Sequence, residues 1–389
     1  MISIFQPSLS DAEAEAVRQV MFSNWPGRGK MADRFEADFA DFIGVDKANL
    51  LSITSCTEGL FLSMDLLGIE KGDIVILPSI SFIGAANAIV SAGGRPAFCD
   101  VDRRSLNATA ETIEDCIRHL KYARKERLRA IILLHYGGVP CDMDDILALS
   151  IGRDIPVIED SACSPASHYN GQACGTFGSI GLWSFGAMKI LSTGDGGMIY
   201  TDNKDMRQRA EKLGFLGLTN ASGMASSAAE WWEVDIDLPG HRFLMNDLNA
   251  AIGIEQLKKL PMFVSSRRTL HSYYRDYLYG CDGLIIPPVT PPRGNGLSSY
   301  YMFWIQLESE EIRNRLAAYL RQNDVYTTFR YYPLHWVKYY RDRFLQIDLP
   351  GAEWAARRTL CLPLHQSITR NDVEKVCGLV IDFMERRYE

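Results

Sequence analysis

The sequence predicts an α/β protein: a large domain with a mainly parallel, mixed sheet between helices, and a smaller C-terminal α/β domain. Two observations carry this. Residues 74–77, 130–134 and 157–158 are short, continuous apolar runs, the pattern of strands buried on both faces. Stretches with helical periodicity separate them, the alternation that lets neighbouring strands pair in parallel.

Taken in order, residues 57–68 read as a helix and 74–77 as a strand ending at Pro78. Residues 84–92 read as a helix, and 96–99 as a strand running into Asp100 and Asp102. Residues 130–134 form the clearest strand, closed by His135, Gly137 and Gly138. Val157 and Ile158 precede Glu159 and Asp160 at another strand end, and 198–200 gives one more strand. A long helix is expected over 246–260, with Ala250, Ile254 and Leu257 on one face. Pro261 interrupts or restarts it before an Arg- and Tyr-rich helix to about 278. Residues 287–296 form a Pro/Gly-rich loop and 301–307 a strand. Ser309 is placed as the N-cap of a helix over 310–322. A strand over 325–329 and a helix over 372–386 complete the chain. The expected division is residues 1–258 for the large domain and 259–389 for the smaller one.

The 389 residues are 47% hydrophobic and carry a net charge of -7. That hydrophobic share suits a large packed core rather than a disordered chain. Acids and bases are interspersed, without the basic run that nucleic acid or an anionic membrane would select. No apolar run approaches the ~20 residues that cross a bilayer. The start lacks a basic segment followed by an apolar one, so a cytoplasmic location is expected. The nine cysteines are scattered with no C-x-x-C pair, so reduced thiols are expected rather than a disulfide framework or a structural zinc site.

In sheets of this kind ligands sit outside the carboxyl ends of the strands. Lys189 follows the apolar Leu182, Trp183 and Phe185 and precedes the Gly-rich Thr193 to Gly197. Either it is a surface lysine in a turn, or it is a partly desolvated amine freed to form a Schiff base. Asp160 sits at a strand end, as an active carboxylate or as a loop acid. Ser55, Cys56 and Thr57 open a helix, where hydroxyls and free N–H groups either cap it or hold an anion. Ser184 adds a hydroxyl, and Phe82 follows a strand as core or as a flat binding face.

These segments resemble the DegT-type sugar aminotransferases, fold-type I enzymes that use pyridoxal 5′-phosphate (PLP), over essentially the whole chain. The resemblance rests on residues 72–87, 157–162, 184–189 with 193–197, 245–257 and 333–335. It implies Lys189 as the Schiff-base lysine, Asp160 on the pyridine nitrogen and Phe82 stacked on the ring. It implies Ser184, Thr57 and the backbone at Cys56 around the phosphate, joined by Asn246 from the partner of a homodimer. The implied reaction moves an amino group from glutamate or glutamine to a nucleotide-linked keto sugar, for amino-sugar biosynthesis. No metal is implied.

The chain departs from the family pattern in places. Cys163 stands near the cofactor's phenolic oxygen where Gln or His is usual, and Cys56 replaces a glycine. Gly240 to Phe243, Arg330 and Tyr331 are unusual too. Arg242, Arg330 and His335 are therefore the expected substrate contacts, and a sugar-like acid or cyclitol is an alternative acceptor. A sugar dehydratase on the same fold is disfavoured because that branch replaces the lysine with histidine. A non-catalytic PLP-binding regulator would add a helix-turn-helix and a basic face, which are absent. No strand-linked G-x-G-x-x-G suggests a nicotinamide enzyme.

Overall fold

A computed structural model describes residues 1–120, 128–218, 235–236, 238–291, 293–344 and 347–386. Among the described residues, nine strands occur up to residue 200: β1 (Leu50–Ile53), β2 (Ile74–Pro78), β3 (Arg95–Cys99), β4 (Leu128–Leu134), β5 (Val157–Asp160), β6 (His168–Tyr169), β7 (Gln172–Ala173), β8 (Ile180–Ser184) and β9 (Gly197–Tyr200). Seven form the central sheet in the order β1-β9-β8-β5-β4-β2-β3. The pairs from β3 through β8 are parallel, and β9 runs antiparallel to both β8 and β1. Strands β2, β5 and β9 are buried throughout, as strands covered on both faces are.

Strand alternation divides chemistry from packing. Trp183 and Phe185 flank Ser184 and pack edge-on against Phe39 at centroid distances of 5.3 and 5.5 Å. Successive side chains on a strand point to opposite faces, so burying those two rings turns Ser184 the other way. The same rule splits Glu159 from Asp160. The buried Glu159 carboxylate accepts from His135 Nε2 (3.0 Å) and the backbone N–H groups of Gly175, Phe177 and Gly178 (2.6–2.8 Å). Cys141 N–H donates to His135 Nδ1, so Nε2 holds the proton given to Glu159.

Glu159→Gln is expected to destabilise the protein by about 2–5 kcal/mol, read from denaturant unfolding. An amide has one acceptor oxygen, so either His135 and Gly175 or Phe177 and Gly178 lose their partner.

A second three-stranded sheet, in which β12 (Phe303–Leu307) lies between β10 (Leu284–Ile285) and β13 (Thr359–Leu362), carries the C-terminal part. The short β11 (Gly296–Leu297) joins β6 and β7. Ser309 caps Glu310–Gln322 through its hydroxyl as expected. The strand expected over 325–329 does not form. Val325 and Thr328 instead make isolated bridges to Ile2 and Cys361, so the N-terminal segment is strung onto the C-terminal sheet.

The two helices expected on either side of Pro261 are one, Asp247–Leu278. Pro261 removes one backbone donor, and packing against helices Asp11–Phe22, Lys30–Ile43 and Arg370–Glu385 holds the helix together. The division expected after residue 258 therefore falls inside a continuous helix. At its start, the buried Asp247 carboxylate accepts from the N–H groups of Gly29, Met31 and Ala32, capping Lys30–Ile43 from a distance.

Glu13 ties the first helix to this long one. Burial alone would raise its pKa. Hydrogen bonds from Lys259, Gln256 and Ser10 outweigh that and bring it down to about 2. A depressed carboxyl contributes stability that is present above the ordinary pKa near 4.5 and is lost as pH falls toward 2. The free energy of unfolding should fall across that window by up to about 3 kcal/mol, and Glu13→Gln should flatten the decline.

Candidate active site

Asp160, Ser184, Cys56, Thr57, Phe82, Lys189 and Arg330 line one cavity of about 180 Å³ at the carboxyl ends of the strands. Tyr331 and Ala162 are also part of its wall. Asp160 is 1% exposed, and its Oδ1 accepts from Ala162 N–H at 3.0 Å. Burial raises its pKa, while that N–H, Lys189 and His135 oppose the rise.

Lys189 is half-buried, and its Nζ lies 4.9 Å from the centroid of the Tyr301 ring. Burial alone would lower the amine's pKa, as the sequence suggests. Tyr301, Cys163, Asp160 and Cys56 outweigh it, so the net shift is upward. The amine is therefore held as ammonium, and it must lose a proton before it can attack a carbonyl.

Its segment is pinned from the long helix. Asn249 Nδ2 donates to the carbonyls of Thr193 and Asp195, and Gln256 Oε1 accepts from Ser192 N–H.

The anion end is a helix start. Ser55 Oγ caps Cys56–Leu66 by accepting from Glu58 N–H at 3.1 Å, and the first-turn N–H groups face outward for an acceptor. Gly197 of β9 runs close beneath: a Cβ there would meet Cys56 N at 2.6 Å. Gly197→Ala should therefore cost about 1–3 kcal/mol in denaturant unfolding and weaken anion binding by displacing Cys56.

Phe82 is 41% exposed, with its ring edge-on to Tyr331 at 6.0 Å. A buried carboxylate, an exposed aromatic face, an amine and a helix N-terminus share one small cavity. This donor set fits a flat, cationic-ring phosphate ester such as PLP.

A family model described as the DegT/DnrJ/EryC1/StrS aminotransferase family matches residues 7–381. The chain belongs to this family. Like other members of the DegT/DnrJ/EryC1/StrS family, it is a PLP-dependent aminotransferase.

One relative is a dTDP-4-dehydro-2,3,6-trideoxy-D-glucose 4-aminotransferase from Saccharopolyspora spinosa. It is 44% identical over 378 residues, covering 97% of this chain and 95% of the relative. The crystal structure of the aminotransferase TlmJ from Streptoalloteichus hindustanus has a TM-score of 0.91 and 47% identity, with 99% of each chain covered. The PLP form of the putative sugar aminotransferase Spr1654 from Streptococcus pneumoniae shares the fold at a TM-score of 0.87. It is 22% identical, with 99% of each chain covered.

Four further residues named from the sequence do not line this cavity, and of these Asn246 is expected to act at the partner's site. His335 is 5% exposed. Its Nδ1 is 2.5 Å from Ser79 Oγ and its Nε2 is 3.6 Å from Glu353. It ties its turn to the Phe82 loop, and Pro333 and Leu334 are buried beside it. Cys163 is buried behind the wall with Sγ 3.9 Å from the Tyr331 hydroxyl, and burial pushes its thiol up. Asn246 and Arg242 do not line their own chain's Lys189 cavity. Both face a separate groove of about 1090 Å³ with Trp25, Arg28 and Phe215. Asn246 Oδ1 caps the long helix by accepting from Asn249 N–H, which leaves its amide NH₂ as the outward donor.

Tyr301 and Phe5 went unseen in the sequence. Neither lies in a local motif, and only the long-range fold brings them to the lysine.

Among the described residues, no three metal-ligating side chains cluster, and no helix is long and apolar enough to cross a membrane.

Proposed function

We propose that the amino donor is glutamate or glutamine and that the acceptor is a nucleotide-linked keto sugar aminated in amino-sugar biosynthesis. The 2-amino acid leaves as its 2-keto acid while the sugar carbonyl becomes an amine, so the exchange balances without an external oxidant. The observation that carries this reading is the Lys189 ammonium enclosed in one cavity with the Asp160 carboxylate. The nucleotide-sugar activity printed for the 44% identical relative supports the substrate class.

When bound, PLP supplies an electron sink for the charge left on a substrate carbon that loses its proton. Asp160 suits the ring nitrogen, because a buried carboxylate keeps a facing N–H protonated. Phe82 suits the ring face. Ser184, Thr57 and the N–H of Cys56 suit the phosphate. Lys189 Nζ, once deprotonated, would take the proton from the substrate carbon and hand it back within the cavity. Arg330, on the cavity wall, suits an anionic part of the acceptor.

Incubating the yellow protein with glutamate and a panel of nucleotide keto sugars tests this. A 2-keto acid and an amino sugar should appear in equal amounts. A protein that takes up no PLP, or that transfers to no keto sugar, would sink the reading.

We further infer a homodimer in the cytoplasm. The groove holding Asn246, Arg242 and the 63% exposed Trp25 supports a second copy there, with Asn246 reaching the partner's phosphate. Subunit mixing checks it. Lys189→Ala and Asn246→Ala proteins, each inactive alone, should regain activity when mixed, because a hybrid dimer contains one intact site. Mixtures that stay inactive despite subunit exchange refute action in trans.

A further inference from the structure

We propose that Tyr301 is a positioning residue for Lys189, its ring forming a fixed seat for the lysine ammonium and Phe5 forming the back of that seat. Four groups stack in sequence. The Arg330 guanidinium lies 4.6 Å from the Phe5 ring centroid. Phe5 stacks on Tyr301 at 5.4 Å with 16° between planes. Lys189 Nζ lies 4.9 Å from the Tyr301 ring on the same stack. A cation over an aromatic face is attracted to the ring's quadrupole, more strongly where water is excluded.

The seat is rigid because both main-chain groups of Tyr301 are fixed. Its N–H donates to Gly137 O at 3.0 Å, and its carbonyl accepts from Arg267 Nη1 at 3.1 Å. Arg267 is itself 1% exposed and also binds the carbonyls of Tyr300 and Leu364. The residues preceding Phe5 are tied to the C-terminal part. Ile2 N–H donates to Asp324 O, Ile2 O accepts from Tyr326 N–H, and Ile4 O accepts from Leu364 N–H. Tyr301 is fully buried, and its hydroxyl finds no partner among the described residues. The lysine meets the face of the ring, so the contact itself does not depend on the hydroxyl.

The inference rests on Lys189 being the reactive amine. A released lysine has four rotatable bonds and would lose its position in open solvent. A ring on one side returns it to one place, and the ring favours the protonated form. The other groups that act on this amine are Asp160, Cys163 and Cys56, with Arg330 acting on Tyr301 and Cys163.

The test is competitive labelling of the PLP-free protein by acetic anhydride across pH. Peptide mass spectrometry reads Lys189 against the surface lysines of the same sample. Tyr301→Leu should lower the apparent pKa of Lys189 by about one unit, so the lysine labels at lower pH. Tyr301→Phe keeps the ring and should stay within about 0.3 unit of the parent, within the spread expected of a ring-based cation–π contact. Phe5→Leu removes the backing while keeping the tyrosine itself and should shift Lys189 in the same direction by less.

Three results overturn the proposal. One is an unshifted Lys189 in Tyr301→Leu with a retained thermal transition. Another is an equal shift in Tyr301→Phe. The third, decisive if Tyr301→Leu does not fold, is no shift in Phe5→Leu. Labelling reads the amine without turnover. Shifts in a protein that transfers no amino groups would therefore support the seat and count only against the functional reading.

Discussion

Lys189→Ala should lower turnover by at least ~10⁴-fold while leaving the thermal transition near that of the parent. No other described residue lining the cavity carries an amine, and the one other cation there, Arg330, holds its proton too tightly to shuttle it. The half-buried lysine opens onto a cavity, so truncation leaves no sealed void of the kind that makes core substitutions costly. Borohydride should fix label on the parent at Lys189 and none at that position in the variant. A small exogenous amine should restore part of the rate, because the missing group is a proton carrier rather than a structural strut. Parent-like turnover in Lys189→Ala would remove the lysine from the chemistry.

Asp160→Asn should cost about 10²–10³-fold in kcat at saturating PLP. The substitution is nearly isosteric, and the amide oxygen can still accept from Ala162 N–H, so the loop after β5 should keep its shape. The negative charge is lost, and a carboxylate enclosed this way owes its influence to low local polarity. The absorbance of the bound cofactor should shift together with the rate. Unchanged kcat in Asp160→Asn would leave the carboxylate a scaffold residue like its neighbour Glu159.

The fold was legible where one local rule sufficed. Continuous apolar runs marked β2, β4 and β5, and Ser309 marked its helix by side-chain capping. The strand over 325–329 and the break at Pro261 failed for a shared reason: tertiary partners decided both. The carboxylate, ring, hydroxyls and amine of the cavity were legible because each sits within a few residues of a strand end. The enclosure of His335 was not legible, because the residue type says nothing of what surrounds it. Tyr301 and Phe5 were invisible because their meaning lies in a stack spanning the chain.

The long helix Asp247–Leu278 touches the Lys189 segment through Asn249 and Gln256, and Tyr301 through Arg267. Eighteen residues separate Asn249 from Arg267, roughly 27 Å of helix at 1.5 Å per residue. One residue inserted between Gln256 and Arg267 would rotate the far end by about 100° and advance it by about 1.5 Å. The guanidinium would then leave the Tyr301 carbonyl. Length here is thus under stricter constraint than side-chain identity: the helix should accept many exposed substitutions and no insertion or deletion.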